Sequence, residues 1–261
     1  KYYQYFINQG FNDHRVFSNY GTILKNLGKL QEAELLYHKA IEIKPNYAEA
    51  HSNLGIIWSD LGKLQDAELS YRKAIEIKPD YAEAHYNLSH LELLKENYQS
   101  GLENYEFRFK AKPPIIPNGK TQLKRIDNKK LQKGDQLLVI SEQGLGDTLQ
   151  YMRYVPYLRR KGLEVSFSAQ KKLHSLIKSS GIDSNPLTPE QTETILKGQW
   201  SPLLSLSRYL QVNPNNPIIS EPYIFSTYKL VRKWRNILSE EKKAIIGINW
   251  QGNPNVEKRG L

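Results

Sequence analysis

Apolar positions recur with a helical period through the first 110 residues, and the pattern then breaks into short β-branched runs separated by helical stretches. Asn19 to Ser52 and Asn53 to Tyr86 match at a spacing of 34 residues, sharing Leu-Gly-Lys-Leu-Gln, Ala-Glu-Leu, Lys-Ala-Ile-Glu-Ile-Lys-Pro and Tyr-Ala-Glu-Ala-His. Self-similarity at such a period predicts stacked helical pairs, because each pair has an apolar face that only a neighbour can cover. Lys112-Pro-Pro-Ile-Ile-Pro117 ends this pattern and opens a polar connection to about Lys130. Beyond it, Leu137 to Ile140 and Leu163 to Ser168 read as strands, with a helix from Asp147 to about Lys161 between them and Gly162 as its C-cap. Gln170 to Ser179 reads as an amphipathic helix with Leu173, Leu176 and Ile177 on one face. Thr194 to Trp200 reads as a strand, Pro202 to Leu210 as a short helix, Ser226 to Leu238 as a long helix, and Ala244 to Trp250 as a new strand. Such alternation predicts a parallel sheet with right-handed crossovers.

The repeated half resembles the tetratricopeptide repeat. The resemblance places Gly28 and Gly62 between two helices, Ala33 and Ala67 at the tight crossing, Tyr37 and Tyr71 between the helices, and Pro45 and Pro79 at the end of each unit. Lys1 to Gly10 aligns with the second helix of a preceding repeat. Leu88 to Phe109 keeps the register, with Tyr98, Gly101 and Tyr105 at the Leu64, Ala67 and Tyr71 positions, as a degenerate terminal repeat. Stacked repeats leave a concave groove that binds a peptide or protein partner. Asn19, Asn53 and Asn87 recur at one place on the first helices and would form a ladder there. In protein O-linked N-acetylglucosamine transferases, whose repeats these resemble, such a ladder holds the substrate backbone; the alternative is a consensus residue of the repeat. His51 and His85 occupy equivalent repeat positions, and His14, His38, His90 and His174 show no spacing that would hold zinc, so no metal is expected.

At 261 residues the chain has room for about two domains. Its net charge of +10 is unevenly spread: residues 1–110 carry 13 Lys and Arg against 15 Asp and Glu, and the rest carries the excess of cations. A basic second half attracts phosphate-bearing ligands or acidic substrates and is compatible with peripheral contact at an anionic membrane, though the same excess also fits a lysine-rich compositional habit. No motif points to nucleic acid. Absence of cysteine excludes disulfides and thiolate metal sites, and no apolar run is long enough to span a bilayer, so the expectation is a cytoplasmic protein. The single methionine, Met152, is internal, which suggests an excerpt of a longer protein.

Candidate chemistry gathers after the first strand, in Ser141-Glu-Gln-Gly-Leu-Gly-Asp147. Gly144 and Gly146 allow backbone to approach a ligand, and Asp147 lies where a helix would start, where N–H groups welcome a ligand oxygen or a phosphate. Asp is also a preferred N-cap, worth about 1 kcal/mol, so capping alone would account for it. A dinucleotide site is disfavoured: Leu149 stands where the third glycine of the fingerprint belongs, and no acidic residue closes the next strand. Gln251-Gly-Asn-Pro254 with Lys258 and Arg259 follows the Ala244 strand and reads as the start of a diphosphate site.

Ser141 to Pro156, Pro202 to Leu206 and Gly247 to Pro254 together resemble bacterial glycosyltransferases of the heptosyltransferase-like group, in the variety that carries N-terminal tetratricopeptide repeats. The resemblance implies an α plus α/β chain: repeats over 1–111, a linker over 112–130, and a Rossmann-like parallel α/β domain over 131–225. Residues 226–261 would be a connecting helix and the first strand of a second, donor domain, so that the chain holds the first half of a GT-B fold and breaks off as the second begins. It further implies Asp147 as general base toward a hydroxyl of the acceptor, either a protein or a glycan, with substrate contacts at Glu142, Gln143, Gly144, Gly146 and Gln150. The donor, a nucleotide-diphosphate sugar, would meet Trp250, Gln251, Gly252, Asn253, Lys258 and Arg259, and transfer would invert the anomeric centre without metal or cofactor. The piece by itself is not expected to turn over. The competing reading is a non-catalytic repeat scaffold for protein–protein interaction with a degenerate Rossmann-like domain.

Overall fold

The computed structural model describes residues 2–127, 131–142, 144–218 and 221–239. The chain begins with seven helices: α1 (Tyr2–Asn8), α2 (His14–Asn26), α3 (Leu30–Ile43), α4 (Ala48–Asp60), α5 (Leu64–Ile77), α6 (Ala82–Leu94) and α7 (Tyr98–Tyr105). Successive helices pack as antiparallel pairs, α2 on α3, α4 on α5 and α6 on α7, as the 34-residue period predicts. Ala33 and Ala67 are fully buried at the crossings, and Tyr37 and Tyr71 lie under the preceding helices. Their rings come so close that a Cβ at Gly55 would sit 2.6 Å from Tyr71 Cε1, and one at Gly21 would sit 3.0 Å from Tyr37 Cε1. A small residue on the first helix is therefore the condition for the tyrosine on the second.

Each first helix stops in the same way. The N–H of Lys29 reaches back to Leu24 O at 2.9 Å, that of Lys63 to Trp58 O at 2.8 Å, and that of Asn97 to Glu92 O at 2.8 Å. This closure needs a left-handed residue just before the donor. Gly28 at φ +76° and Gly62 at φ +74° supply it in the first two units, and Glu96 at φ +64° in the third.

After a short 3₁₀ turn, Glu106–Phe109, and a connection, the α/β part follows: β1 (Gln136–Ile140), α8 (Leu145–Tyr151), α9 (Tyr154–Arg160), β2 (Glu164–Ser168), α10 (His174–Ser179), β3 (Gln199–Pro202), α11 (Leu206–Tyr209) and α12 (Tyr228–Leu238). The described strands form a parallel sheet in the order β2-β1-β3, with Leu138 opposite Ser166 on one side and Trp200 on the other. Central β1 is buried on both faces, which explains its unbroken apolar run. Met152, Val155, Leu158, Phe167, Ile177 and Leu203 fill the core around it.

Several elements differ from the sequence pattern. The helix expected from Asp147 starts at Leu145 and is broken at Met152–Arg153. Pro156 has no N–H to continue a single helix, and the restart at Tyr154 puts it in a first turn, where none is needed. The third strand runs over Gln199–Pro202 rather than Thr194 to Trp200, because Thr194 ends a 3₁₀ turn and the chain enters the sheet only after Gly198. Gly198, at φ +95°, passes so close to β1 that a Cβ would sit 2.3 Å from Gln136 O. The Gln170 helix is a 3₁₀ turn, Lys171–Leu173, followed by α10, and the Pro202 helix shortens to α11. The connection before β1 lies against the sheet: Arg125 bridges Trp200, and Ile126 is buried. The Ala244 strand lies outside the described residues.

Candidate functional site

With β1 in the centre and its successors on opposite sides, the strand order switches direction between β1 and β3, although all three strands run parallel. Open α/β sheets bind ligands in the crevice outside the carboxyl ends of strands at such a point. Here the loops after β1 and β3 carry Ser141, Glu142 and Gly144 on one side and Leu203 to Ser205 on the other.

Much of that crevice is filled from the repeat side. The 3₁₀ turn after α7 sends Arg108, fully buried, between the two loops. One guanidinium nitrogen donates to Glu142 Oε1 at 2.7 Å and to Ser205 Oγ at 2.8 Å; the other donates to Glu106 Oε1 at 2.9 Å and to Tyr105 O at 3.0 Å. Ser205 in turn donates to Glu106 at 2.8 Å, and Arg125 pairs with the other Glu106 oxygen. Phe109 stacks on both cations, with its centroid 4.0 Å from Arg108 Cζ and 4.4 Å from Arg125 Cζ. Burial opposes the Arg108 charge, but the Glu142 and Glu106 carboxylates outweigh it and hold the proton more firmly than usual. Burial pushes the Glu142 carboxyl above its ordinary value, and Arg108 offsets part of that push. Of the charged residues in this cluster only Glu142 was singled out from the sequence; the one signal for the others was a charged pair set inside the aromatic run Tyr105-Glu-Phe-Arg-Phe109 at the end of the last repeat.

The glycine loop faces outward beside this plug. Gly144, Leu145, Gly146 and Gln150 are exposed, and Asp147 is half-buried. Glu142 does not share that face, being turned inward and only 5% exposed. Gln143 lies outside the described residues. Asp147 is not the N-cap: Gly144 holds that position, and Asp147, three residues on, reaches back so that its Oδ2 accepts from Gly144 N–H at 3.0 Å. Its Oδ1 makes no hydrogen bond among the described residues. Burial, and then the Asp147 carboxylate, push the Tyr151 hydroxyl above its ordinary value. Thr148 donates to Gln170 at 2.9 Å and ties α8 to the loop after β2.

Gly144 suits its N-cap position, whereas Gly146 is not explained by the fold. Neither has a left-handed φ; a Cβ on Gly146 would meet nothing within 4 Å, and one on Gly144 only Asp147 Oδ2 at 3.4 Å.

In the repeats, Asn53 and Asn87 are half-buried and Asn19 is exposed, and their amides make no side-chain hydrogen bond among the described residues. His51 and His85 set Nε2 at 2.9 Å from Pro45 O and Pro79 O, bracing each unit's proline turn. Trp250, Gln251, Gly252, Asn253, Lys258 and Arg259 lie outside the described residues. No helix of the described residues is long and apolar enough to cross a membrane.

Residues 48–81 match the family model described as tetratricopeptide repeat, and residues 21–58 match the one described as TPR repeat. The chain carries tetratricopeptide repeats. Among curated proteins none matches the chain. Similar solved structures include the first TPR of Spaghetti (RPAP3) bound to an HSP90 peptide, which is 20% identical with a TM-score of 0.36 and pairs 39% of this chain with 80% of its own. A structure from the functional characterization of Pseudomonas aeruginosa pilF is 19% identical with a TM-score of 0.35, and 37% of this chain covers 44% of it.

Proposed function

We propose that this chain is the acceptor-side part of a glycosyltransferase whose repeats hold the protein to be modified. The observation that carries the reading is the glycine pair beside Asp147. Glycine costs a helix about 1 kcal/mol relative to alanine, yet at Gly146 neither backbone conformation nor neighbouring atoms demand it. A backbone kept bare toward solvent suits close approach by a ligand.

In this reading Asp147 Oδ1 takes the proton of an acceptor hydroxyl as its oxygen bonds to the anomeric carbon of a nucleotide sugar. The bond from that carbon to the diphosphate breaks, and the nucleoside diphosphate leaves with the electron pair. Gly144 N–H, donating to Oδ2, orients the carboxylate. Gly144, Gly146 and Gln150 line the acceptor side, while Glu142 acts by positioning, since its carboxylate is spent on Arg108. Donor contacts fall to Trp250, Gln251, Gly252, Asn253, Lys258 and Arg259. The unpaired amides of Asn19, Asn53 and Asn87 suit the backbone of a partner, and stacked repeats offer the extended concave surface on which such a backbone can lie.

The test is sugar transfer by the complete enzyme, with this part and its donor domain together. Asp147→Asn is expected to lower turnover about 10²–10⁴-fold, and Gly146→Ala to lower it while thermal stability stays the same or rises. A second reading, a scaffold without chemistry, draws on the Arg108 plug in the crevice where α/β ligands usually bind. It prevails if the complete protein, donor domain included, transfers no sugar, or if turnover ignores both substitutions.

A further inference from the structure

Where the last repeat meets the α/β part, a groove runs along the side of α7, away from the asparagine positions on the first helices. Its outer section is a cleft of about 1090 Å³ between the start of α7 and the loop that follows α11. Its inner section, about 420 Å³, is bounded by Leu93, Tyr151, Tyr154 and Pro217 and ends at Gln150, one helical turn beyond Asp147. The two sections share Tyr98, Leu102, Val212, Asn213 and Pro214, so they form one continuous channel. The wall formed by α11 and the loop after it is held in place. Tyr209 is anchored by its hydroxyl to Ile126 O at 2.7 Å, and Asn213 Oδ1 accepts from the N–H groups of Asn215 and Asn216 at 3.0 and 3.1 Å.

The two sections differ in chemistry. The outer one presents Asn97, Gln99 and Asn215, whose amides have no partner among the described residues, together with Glu96 and Glu103, which make no ion pair there, and one cation, Arg208. Two carboxylates without an ion pair among the described residues line this one cleft, in a chain of net charge +10. The inner section is walled mainly by leucine, valine, proline and tyrosine, with Ser207 and with Arg153, which donates to the Tyr223 hydroxyl at 3.0 Å. Free amides suit an extended backbone, carboxylates a cationic side chain, and an apolar pocket a bulky anchor. A neutral glycan would leave both the carboxylates and the aliphatic wall unmatched.

We propose that this junction groove binds an extended peptide segment, with a lysine or arginine at Glu96 and Glu103 and a large apolar residue in the pocket between Leu93 and Tyr154. It deepens the proposed function by naming the segment delivered toward Asp147, yet its test needs no sugar transfer. A random twelve-residue peptide library is selected on the full chain, and selected peptides are measured by fluorescence anisotropy. The expected peptides combine a basic and a bulky apolar residue. They bind the Glu96→Lys/Glu103→Lys variant about tenfold or more weakly, as reversal of two exposed charges should give. They bind the Asn19→Ala/Asn53→Ala/Asn87→Ala variant unchanged. Both carboxylates are exposed, so the reversal spares the fold. Peptides without that pattern, peptides indifferent to the charge reversal, or an empty selection overturn the proposal. Peptides lost only in the asparagine variant overturn it too, while leaving partner capture in the concave groove intact. Maltoheptaose or chitotetraose binding that depends on Tyr98, with no peptide selected, would replace it with a glycan site.

Discussion

The Asp13 carboxylate accepts from the Arg15 backbone N–H at 2.8 Å and pairs with the Arg15 guanidinium at 2.6 Å, capping α2. Hydrogen bonds from the Arg15 side chain, then from its backbone, hold the Asp13 pKa down at about 2. A carboxylate depressed by folding contributes its stabilisation above the ordinary value near 3.8 and loses it as pH falls through about 2. Carboxyl NMR titration should place Asp13 there, and Arg15→Ala should move it back toward the ordinary value. At the same scale the sequence pointed to Asp147 but left two roles open. In the structure Oδ2 of Asp147 supports the loop at Gly144, while Oδ1 makes no hydrogen bond among the described residues. Residue type and order alone could not separate an N-cap from a group three positions inside the helix, because both fit Asp near a glycine.

Among the elements, the helical pairs were the most legible, because the same face recurs at the same spacing in two near-identical units. What the period did not reveal is why Gly21 and Gly55 stand where they do. Each makes room for a tyrosine of the next helix, and the closer contact is at Gly55. Alanine there gains up to about 1 kcal/mol in helix propensity but overpacks a rigid ring, which typically costs about 1–3 kcal/mol. Gly55→Ala should therefore lower stability in urea unfolding, and by more than Gly21→Ala, where the ring needs to yield only slightly. The α/β elements were less legible at their ends. Strand β3 has just four residues, and its start is set by the close pass of Gly198 over β1, a long-range contact that no local pattern records.

Over the whole molecule, the repeats and the sheet are joined through a buried ionic cluster. Removing one partner of such a pair strands the other in a medium of low polarity, typically at about 3–5 kcal/mol. Arg108→Ala, which leaves Glu142 and Glu106 facing each other, should cost about that much. In calorimetry it should also separate the unfolding of the repeats from that of the α/β part. Arg108→Met combined with Glu142→Leu should recover much of the loss, because no buried charge is then left at the Arg108–Glu142 contact. A result in which the single and double variants are equally destabilised would assign the loss to packing.

The sequence by itself determined the repeats, their register and the parallel α/β alternation, because these rest on local periodicity, on glycine and proline at fixed offsets, and on apolar runs. It also located the loop at Gly144 to Asp147. Only the tertiary structure decided that Glu142 turns inward, that Arg108 from the last repeat occupies the crevice between β1 and β3, and that α7 and the loop after α11 enclose a groove. Each of these depends on residues far apart in the chain meeting in a buried or concave place, where desolvation and shape, rather than spacing, select the partner.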